Sequence, residues 1–214
     1  YLTYGRAGLS AQACLQDALC ELEGAKGVTL YPSGIAAISG VCTALLRTGD
    51  HVLVVDTIYK PVRRFCDHVL KRFGVTVSYF DAGTAPEAMI GQAPPNTRLI
   101  LLESPGSLSF EMLDVPRIAE LARARKILTA IDNTWGAGLI FKPLEHGVDV
   151  SIQALTKYVG GHSDVFMGSA AARDPKLVQA LTDGVHHMGW AVSGEDAYSM
   201  LRGLRTLPTL SLIH

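Results

Sequence analysis

Three segments of the 214-residue chain carry residue types and spacings that could do chemistry. Lys157 is a lone amine in the run Gln153-Ala154-Leu155-Thr156-Lys157-Tyr158-Val159-Gly160-Gly161, among small, apolar and turn residues. Burial there would favour the neutral amine, a usable nucleophile, whereas a surface lysine with its head in water is the plain alternative. Asp132 stands directly behind the apolar run Ile127 to Ile131 and opens Asp132-Asn133-Thr134-Trp135; on its own it reads equally as a turn residue. Pro32-Ser33-Gly34-Ile35 brings a glycine to a helix start, where unpaired N–H groups and the helix dipole favour a phosphate. Alone it is a plain N-cap, and it matches neither a Walker loop nor a dinucleotide fingerprint.

Together the three segments mean more. A phosphate cup, a carboxylate and an amine at neighbouring strand ends are what pyridoxal phosphate needs: a phosphate anchor, an acid for the ring nitrogen and an amine for a Schiff base. Tyr59 adds a ring that could stack on the cofactor, though a core tyrosine fits the sequence as well.

These residues need a scaffold that puts strand ends side by side. Helical and strand periods alternate along the chain, the pattern of an α/β domain with a mainly parallel sheet flanked by helices. Helices are expected from Ser10 to about Lys26, Gly34 to Arg47, Pro61 to Phe73, Pro86 to Gln92 and Val115 to Lys126. Strands are expected at His51 to Val55, Val75 to Phe80, Arg98 to Leu102, Ile127 to Ile131 and Val148 to Ile152. The pattern predicts a large domain over 1–190. Helix is expected from Pro175 to about Gly184 and again from Ser193 to Leu207, where Pro208 should end or kink it. The segment 191–214 reads as a helix leading into a further domain, and the chain, which opens without Met and in mid-motif, reads as a piece of something longer.

Composition excludes several function classes. Nineteen Lys and Arg against twenty Asp and Glu give a net charge of -1, with no basic block to track a polyanion or an anionic membrane. No apolar run is long enough for a transmembrane helix, and the reading is a soluble, cytoplasmic protein. Cys14, Cys20, Cys42 and Cys66 form no C-x-x-C pair, so buried reduced thiols are expected rather than disulfides or a metal site. His186-His187 cannot readily chelate one ion, because adjacent helical residues point about 100° apart. His162-Ser163-Asp164 holds triad letters that cannot converge, and reads as a turn that positions the Lys157 loop.

Beyond these physical readings, the chain resembles the Cys/Met-metabolism family of pyridoxal-phosphate enzymes, and its bacterial β-eliminating branch most. The matching segments are Tyr4-Gly5-Arg6, Glu21-Leu22-Glu23-Gly24, Pro32-Ser33-Gly34, Gly49-Asp50-His51-Val52-Leu53, Glu103-Ser104-Pro105-Gly106-Ser107, Asp132-Asn133-Thr134-Trp135, Thr156-Lys157-Tyr158, Gly160 to Asp164 and Arg202 to Leu207. The resemblance implies the large domain of the fold-type I pyridoxal-phosphate enzymes. It implies that Lys157 bonds the cofactor and shuttles a proton, that Asp132 keeps the ring nitrogen protonated, and that Tyr59 stacks on the ring and aids proton transfer. The N–H groups of Gly34 and Ile35, with the Thr156 hydroxyl, would hold the phosphate. Tyr4 and Arg6 would reach the phosphate of a neighbouring subunit, so the resemblance implies a dimer or tetramer. The implied activity is a carbon–sulfur lyase that splits cystathionine into homocysteine, pyruvate and ammonia. A γ-lyase or γ-synthase of the same family, or a non-catalytic cofactor-binding fragment, are the alternatives. Two departures bear on the choice: Ala154 replaces a serine common among relatives, and Gly106-Ser107-Leu108 stands where γ-enzymes read Thr-Asn-Pro. The arginine that grips the substrate carboxylate is expected in a C-terminal domain not in this chain.

Overall fold

The computed structural model describes residues 4, 5 and 8–213. Its elements run α1 (Ser10–Glu23), β1 (Gly27–Tyr31), α2 (Gly34–Leu45), β2 (His51–Val55), α3 (Lys60–His68), β3 (Thr76–Phe80), α4 (Pro86–Gln92), β4 (Thr97–Glu103), α5 (Val115–Ala124), β5 (Leu128–Asp132), β6 (Val150–Gln153), β7 (Gly168–Ala172), α6 (Pro175–Met188), α7 (Gly194–Leu204) and α8 (Leu207–Ile213). Seven strands form one sheet in the order β1-β7-β6-β5-β4-β2-β3. β7 runs antiparallel to both of its neighbours, and the other pairings are parallel. The expected mainly parallel sheet is therefore present, with one reversed strand.

Both faces of the sheet are covered, which is why β2 is a continuous run, His-Val-Leu-Val-Val, with every residue buried. On one face Ile38 and Val41 of α2, Val62 of α3, Ile118 of α5 and Leu181 of α6 pack on the strands. On the other, Leu15 and Leu19 of α1 and Ala197 and Met200 of α7 close over Val28, Leu30 and Ala171. β1 and β7 thus divide their alternate side chains between two cores.

Three differences from the sequence reading have physical causes. Residues 168–172, Gly-Ser-Ala-Ala-Ala, form a buried strand that the sequence pattern did not predict, because small residues carry weak strand propensity. Smallness is imposed by packing: a Cβ on Gly168 would lie 2.3 Å from the Ser33 carbonyl oxygen and 2.9 Å from Ala37 Cβ. Second, the strict β-α alternation breaks between β6 and β7, which are joined by an irregular loop that carries Lys157. Third, Pro208 does not end a helix. α7 stops at Leu204, and Pro208 sits in the first turn of α8, where its missing N–H has no intrahelical partner to lose.

Only two of the four cysteines are buried, Cys42 and Cys66; Cys14 is exposed and Cys20 half-buried, against the expectation of four buried thiols. Cys14 lies on α1, turned about 100° around the helix axis from Leu15 and so off the buried face. No helix of the described residues is long and apolar enough to cross a membrane.

The close approach at Gly168 can be measured. Gly168→Ala should destabilise the protein by about 1–3 kcal/mol or more in urea unfolding, through overpacking against backbone that cannot yield. Gly91→Ala, on the exposed side of α4 with nothing within 4 Å of the new methyl, should be neutral or stabilising by up to about 1 kcal/mol.

Candidate active site

The parallel strands β2, β4, β5 and β6 point their carboxyl ends at one side of the sheet, and the loops there enclose a cavity of about 540 Å³. It is lined by Gly34 and Ile35 from α2, Tyr59 from the β2–α3 loop, Asp132 from β5, and Thr156 and Lys157 from the β6–β7 loop. Six of the seven described candidates from the sequence line this one space. Tyr4 is described and exposed, and Arg6 lies outside the described residues.

The phosphate end is built by close packing. Ser33 caps α2: its Oγ accepts the Ala36 N–H at 3.1 Å and its carbonyl the Ala37 N–H at 3.0 Å. The N–H groups of Gly34 and Ile35 are the ones left for a ligand. A Cβ on Gly34 would lie 2.5 Å from Ala154 Cβ, so glycine here brings the helix start hard against the loop after β6. The Thr156 hydroxyl bridges the Met167 main chain, accepting from its N–H at 3.1 Å and meeting its carbonyl at 3.2 Å. To donate to a phosphate it must turn its proton away from that carbonyl.

The acid end is Asp132, 8% exposed at the end of β5. Thr134 holds it, donating to Oδ1 from its main-chain N–H at 3.0 Å and its hydroxyl at 2.5 Å. The same hydroxyl accepts the Ala154 N–H at 2.8 Å, which ties Asp132 to the loop that carries the amine. Burial pushes the Asp132 carboxyl up, and the two Thr134 donors pull it back only in part. Such a carboxylate calls for a cation that this chain's described side chains do not supply.

Lys157 is exposed and faces the cavity, the surface alternative of the two that the sequence left open. Its backbone is fixed nonetheless. Lys157 N–H donates to Ala154 O at 3.0 Å, Gly161 N–H returns to Lys157 O at 2.8 Å, and His162 Nδ1 meets Gly160 O at 2.7 Å. Asp164 pairs with Arg202 of α7, and a Cβ on Gly203 would strike the Gly160 carbonyl at 2.2 Å. The His162–Asp164 segment is thus the positioning turn read from sequence.

Two residues of the site received no role from the sequence. Thr134 could have been found as the third residue of an Asp-x-Thr turn, in which the carboxylate meets the N–H two residues on. Glu103 ends the apolar strand β4 as Asp132 ends β5, and it lies directly across from Asp132 in register. Its Oε2 accepts the Tyr59 N–H at 2.7 Å. A second cavity, about 410 Å³, shares Glu103, Ser107, Leu108, Thr134 and Lys157 with the first and adds Trp135 and Tyr158.

Comparison with known proteins now decides the lineage. The model of the Cys/Met metabolism PLP-dependent enzyme family matches residues 1–210. The chain belongs to that family. Its cofactor is pyridoxal 5'-phosphate, and the cavity fits it: free N–H groups at a helix start, a buried carboxylate wanting a cation, and an accessible amine border one space. A cystathionine β-lyase of Bordetella avium is 43% identical over 212 residues, covering 99% of this chain and 53% of the relative. Cystathionine β-lyase MetC of Escherichia coli K12 is 43% identical over 208 residues, covering 96% and 52%. The crystal structure of cystathionine γ-lyase from Lactobacillus plantarum complexed with L-serine matches with a TM-score of 0.93 at 32% identity, over 96% of this chain and 54% of that one. The chain spans about half the length of the curated relatives it matches.

Thr134→Val should test how Asp132 is held. It keeps the main-chain donor and removes the hydroxyl from both Asp132 and Ala154. Titration with pyridoxal phosphate should show binding weakened by roughly 1.5–3 kcal/mol, the range for a hydrogen bond to a charged group.

Proposed function

We propose that this chain is the cofactor-binding part of a carbon–sulfur lyase that cleaves cystathionine by β-elimination, giving homocysteine, pyruvate and ammonia. The observation that carries the reading is the convergence of Lys157, Asp132 and the Gly34–Ile35 N–H groups on one cavity, in a chain 43% identical to relatives described as cystathionine β-lyases.

Gly34 and Ile35 bind the phosphate through their N–H groups, with help from Thr156 once its hydroxyl turns. Lys157 would hold the cofactor through its amine, and would stand free beside the substrate once released from it. Bound there, pyridoxal phosphate supplies an electron sink for the pair left at the substrate Cα. Asp132 would hold the proton on the ring nitrogen, and the Thr134 donors aim that carboxylate and favour its ionised form. Tyr59 covers the ring face and limits water. Lys157, now free, takes the proton from Cα and delivers it to the sulfur as the Cβ–S bond breaks, so homocysteine leaves as a neutral thiol. Return of the Lys157 amine to its first position would free 2-aminoacrylate, whose imine form water hydrolyses to pyruvate and ammonia. Tyr4 and Arg6 complete the site of a neighbouring subunit, which makes the working unit at least a dimer.

Lys157→Ala in the full-length protein should abolish the visible absorption of the bound cofactor and lower turnover by at least about 10²- to 10⁴-fold, the range of general acid–base catalysis. Asp132→Ala should retain weak cofactor binding without turnover. With cystathionine as substrate the keto acid should be pyruvate. 2-Oxobutyrate would assign γ-elimination instead, and a chain that binds cofactor and releases neither would mark a binding part without chemistry of its own.

A further inference from the structure

Glu103 is a carboxyl group that the proposed reaction does not use, and it sits where the site is most sensitive to charge. It ends β4 directly across from Asp132, and it lines both cavities. Its Oε2 accepts the main-chain N–H of Tyr59, the residue that leads into the first turn of α3. The carboxyl therefore fixes the point from which the Tyr59 ring springs. A second tie holds the same loop: Ser107 N–H donates to Thr57 O at 2.9 Å, and a Cβ on Gly106 would lie 2.7 Å from Thr57.

The charged and titratable groups around Glu103 come from several elements. Asp132 stands on β5, Lys157 and Tyr158 on the β6–β7 loop, and Tyr59 on the β2–α3 loop. Glu111, on the same loop as Gly106, reaches the neighbourhood of that glycine, and Asp56 is committed to the Ala82 N–H at 3.2 Å. Two carboxyl groups at adjoining strand ends in a partly buried cavity resist losing both protons. Burial first, and the Asp132 charge second, push the Glu103 carboxyl up to about 8, while the Tyr59 N–H pulls the other way.

We infer that Glu103 is a positioning residue for the cofactor: it anchors Tyr59 through that residue's backbone N–H and keeps the one proton of the carboxyl pair, so that Asp132 can meet the ring as an anion. The inference rests on the proposed cofactor site and adds a thermodynamic consequence. A cation brought to Asp132 cancels part of the repulsion between the two carboxyls, so cofactor binding weakens the hold of Glu103 on its proton. By linkage, loss of that proton must strengthen binding by the same factor. Glu103→Gln keeps an oxygen for the Tyr59 N–H and removes the titrating proton. Glu103→Ala removes both.

The test titrates the cofactor-free, full-length protein with pyridoxal phosphate by fluorescence quenching from about pH 6 to about pH 9. The affinity ratio of parent to Glu103→Gln should lie near one below about pH 7 and rise several-fold as pH passes about 8. Any proton released at Lys157 is common to both proteins and cancels in the ratio. Glu103→Ala should bind roughly two- to tenfold more weakly than Glu103→Gln at every pH, from loss of one neutral hydrogen bond, with Gln restoring the parent's affinity at low pH. A ratio that does not change with pH overturns the inference and leaves the cofactor site standing; a parent that binds no pyridoxal phosphate overturns both. Where Glu103→Gln does not fold, the parent decides by infrared spectroscopy after isotopic labelling of glutamate carboxyls. A protonated band should titrate with a midpoint near 8 without cofactor and at lower pH with it. Absence of that band, or a midpoint that cofactor leaves in place, overturns the inference.

Discussion

A carboxylate held out of water without a cation is the constraint around which this site is built. Asp132 is almost fully buried, and moving a lone carboxylate out of water is among the larger penalties a fold can carry. Thr134 offsets part of that penalty with two donors to one oxygen, and its hydroxyl passes the restraint on to Ala154. The acid, the loop after β6 and hence the approach to Lys157 are one hydrogen-bonded unit. A protonated ring nitrogen set against Asp132 would supply the missing positive charge. The site is therefore strained toward its ligand by electrostatics, with its geometry already in place.

Small residues make that geometry possible. Gly168 lets β7 lie against the Ser33 carbonyl, Gly34 lets α2 start against Ala154, and Gly203 lets α7 press on the Gly160 carbonyl. At each contact a single methyl would collide with main chain or with a neighbour's Cβ. The helix whose N–H groups face the cavity and the loop that carries the amine are thus located by backbone contact, which is stiffer than contact through side chains. Ala154 belongs to the same economy of space. A serine there would add an oxygen close to where Gly34 already meets the Cβ, and Thr134 already satisfies the Ala154 N–H.

What the sequence made legible follows from how local each signal was. β2 is an apolar run bounded by turn residues, and its limits were read correctly because burial on both faces leaves a local mark. β7 leaves none: its Ala and Gly residues answer to a helix more than one hundred residues away in the chain. The site residues were legible as types at strand ends, and the fold brings six of the seven described ones together. The surroundings of Lys157 were not, because its exposure depends on how the β6–β7 loop opens onto the cavity. Glu103 was visible inside a motif, but its weight comes from the register that sets it opposite Asp132, and register is a property of the sheet. The cysteines show the same limit, since a helix places Cys14 and Leu15 on different faces whatever their shared apolarity.

The backbone cannot be what separates β- from γ-elimination in this family. The solved γ-lyase of Lactobacillus plantarum superposes on the chain with a TM-score of 0.93, so the backbone scaffold is common to both. Discrimination must then reside in side chains that border the scissile bond and in parts of the protein that this half does not span. Within the chain those side chains gather where the two cavities meet. Ser107 borders both cavities, Leu108 is almost wholly exposed beside it, and Trp135 follows Thr134 on the loop that restrains Asp132. The indole at 135 gives the second cavity a flat apolar wall. The scaffold is therefore common property of the family, and whatever separates its members' reactions must lie in side chains such as those at this rim or in parts of the protein that this half does not span.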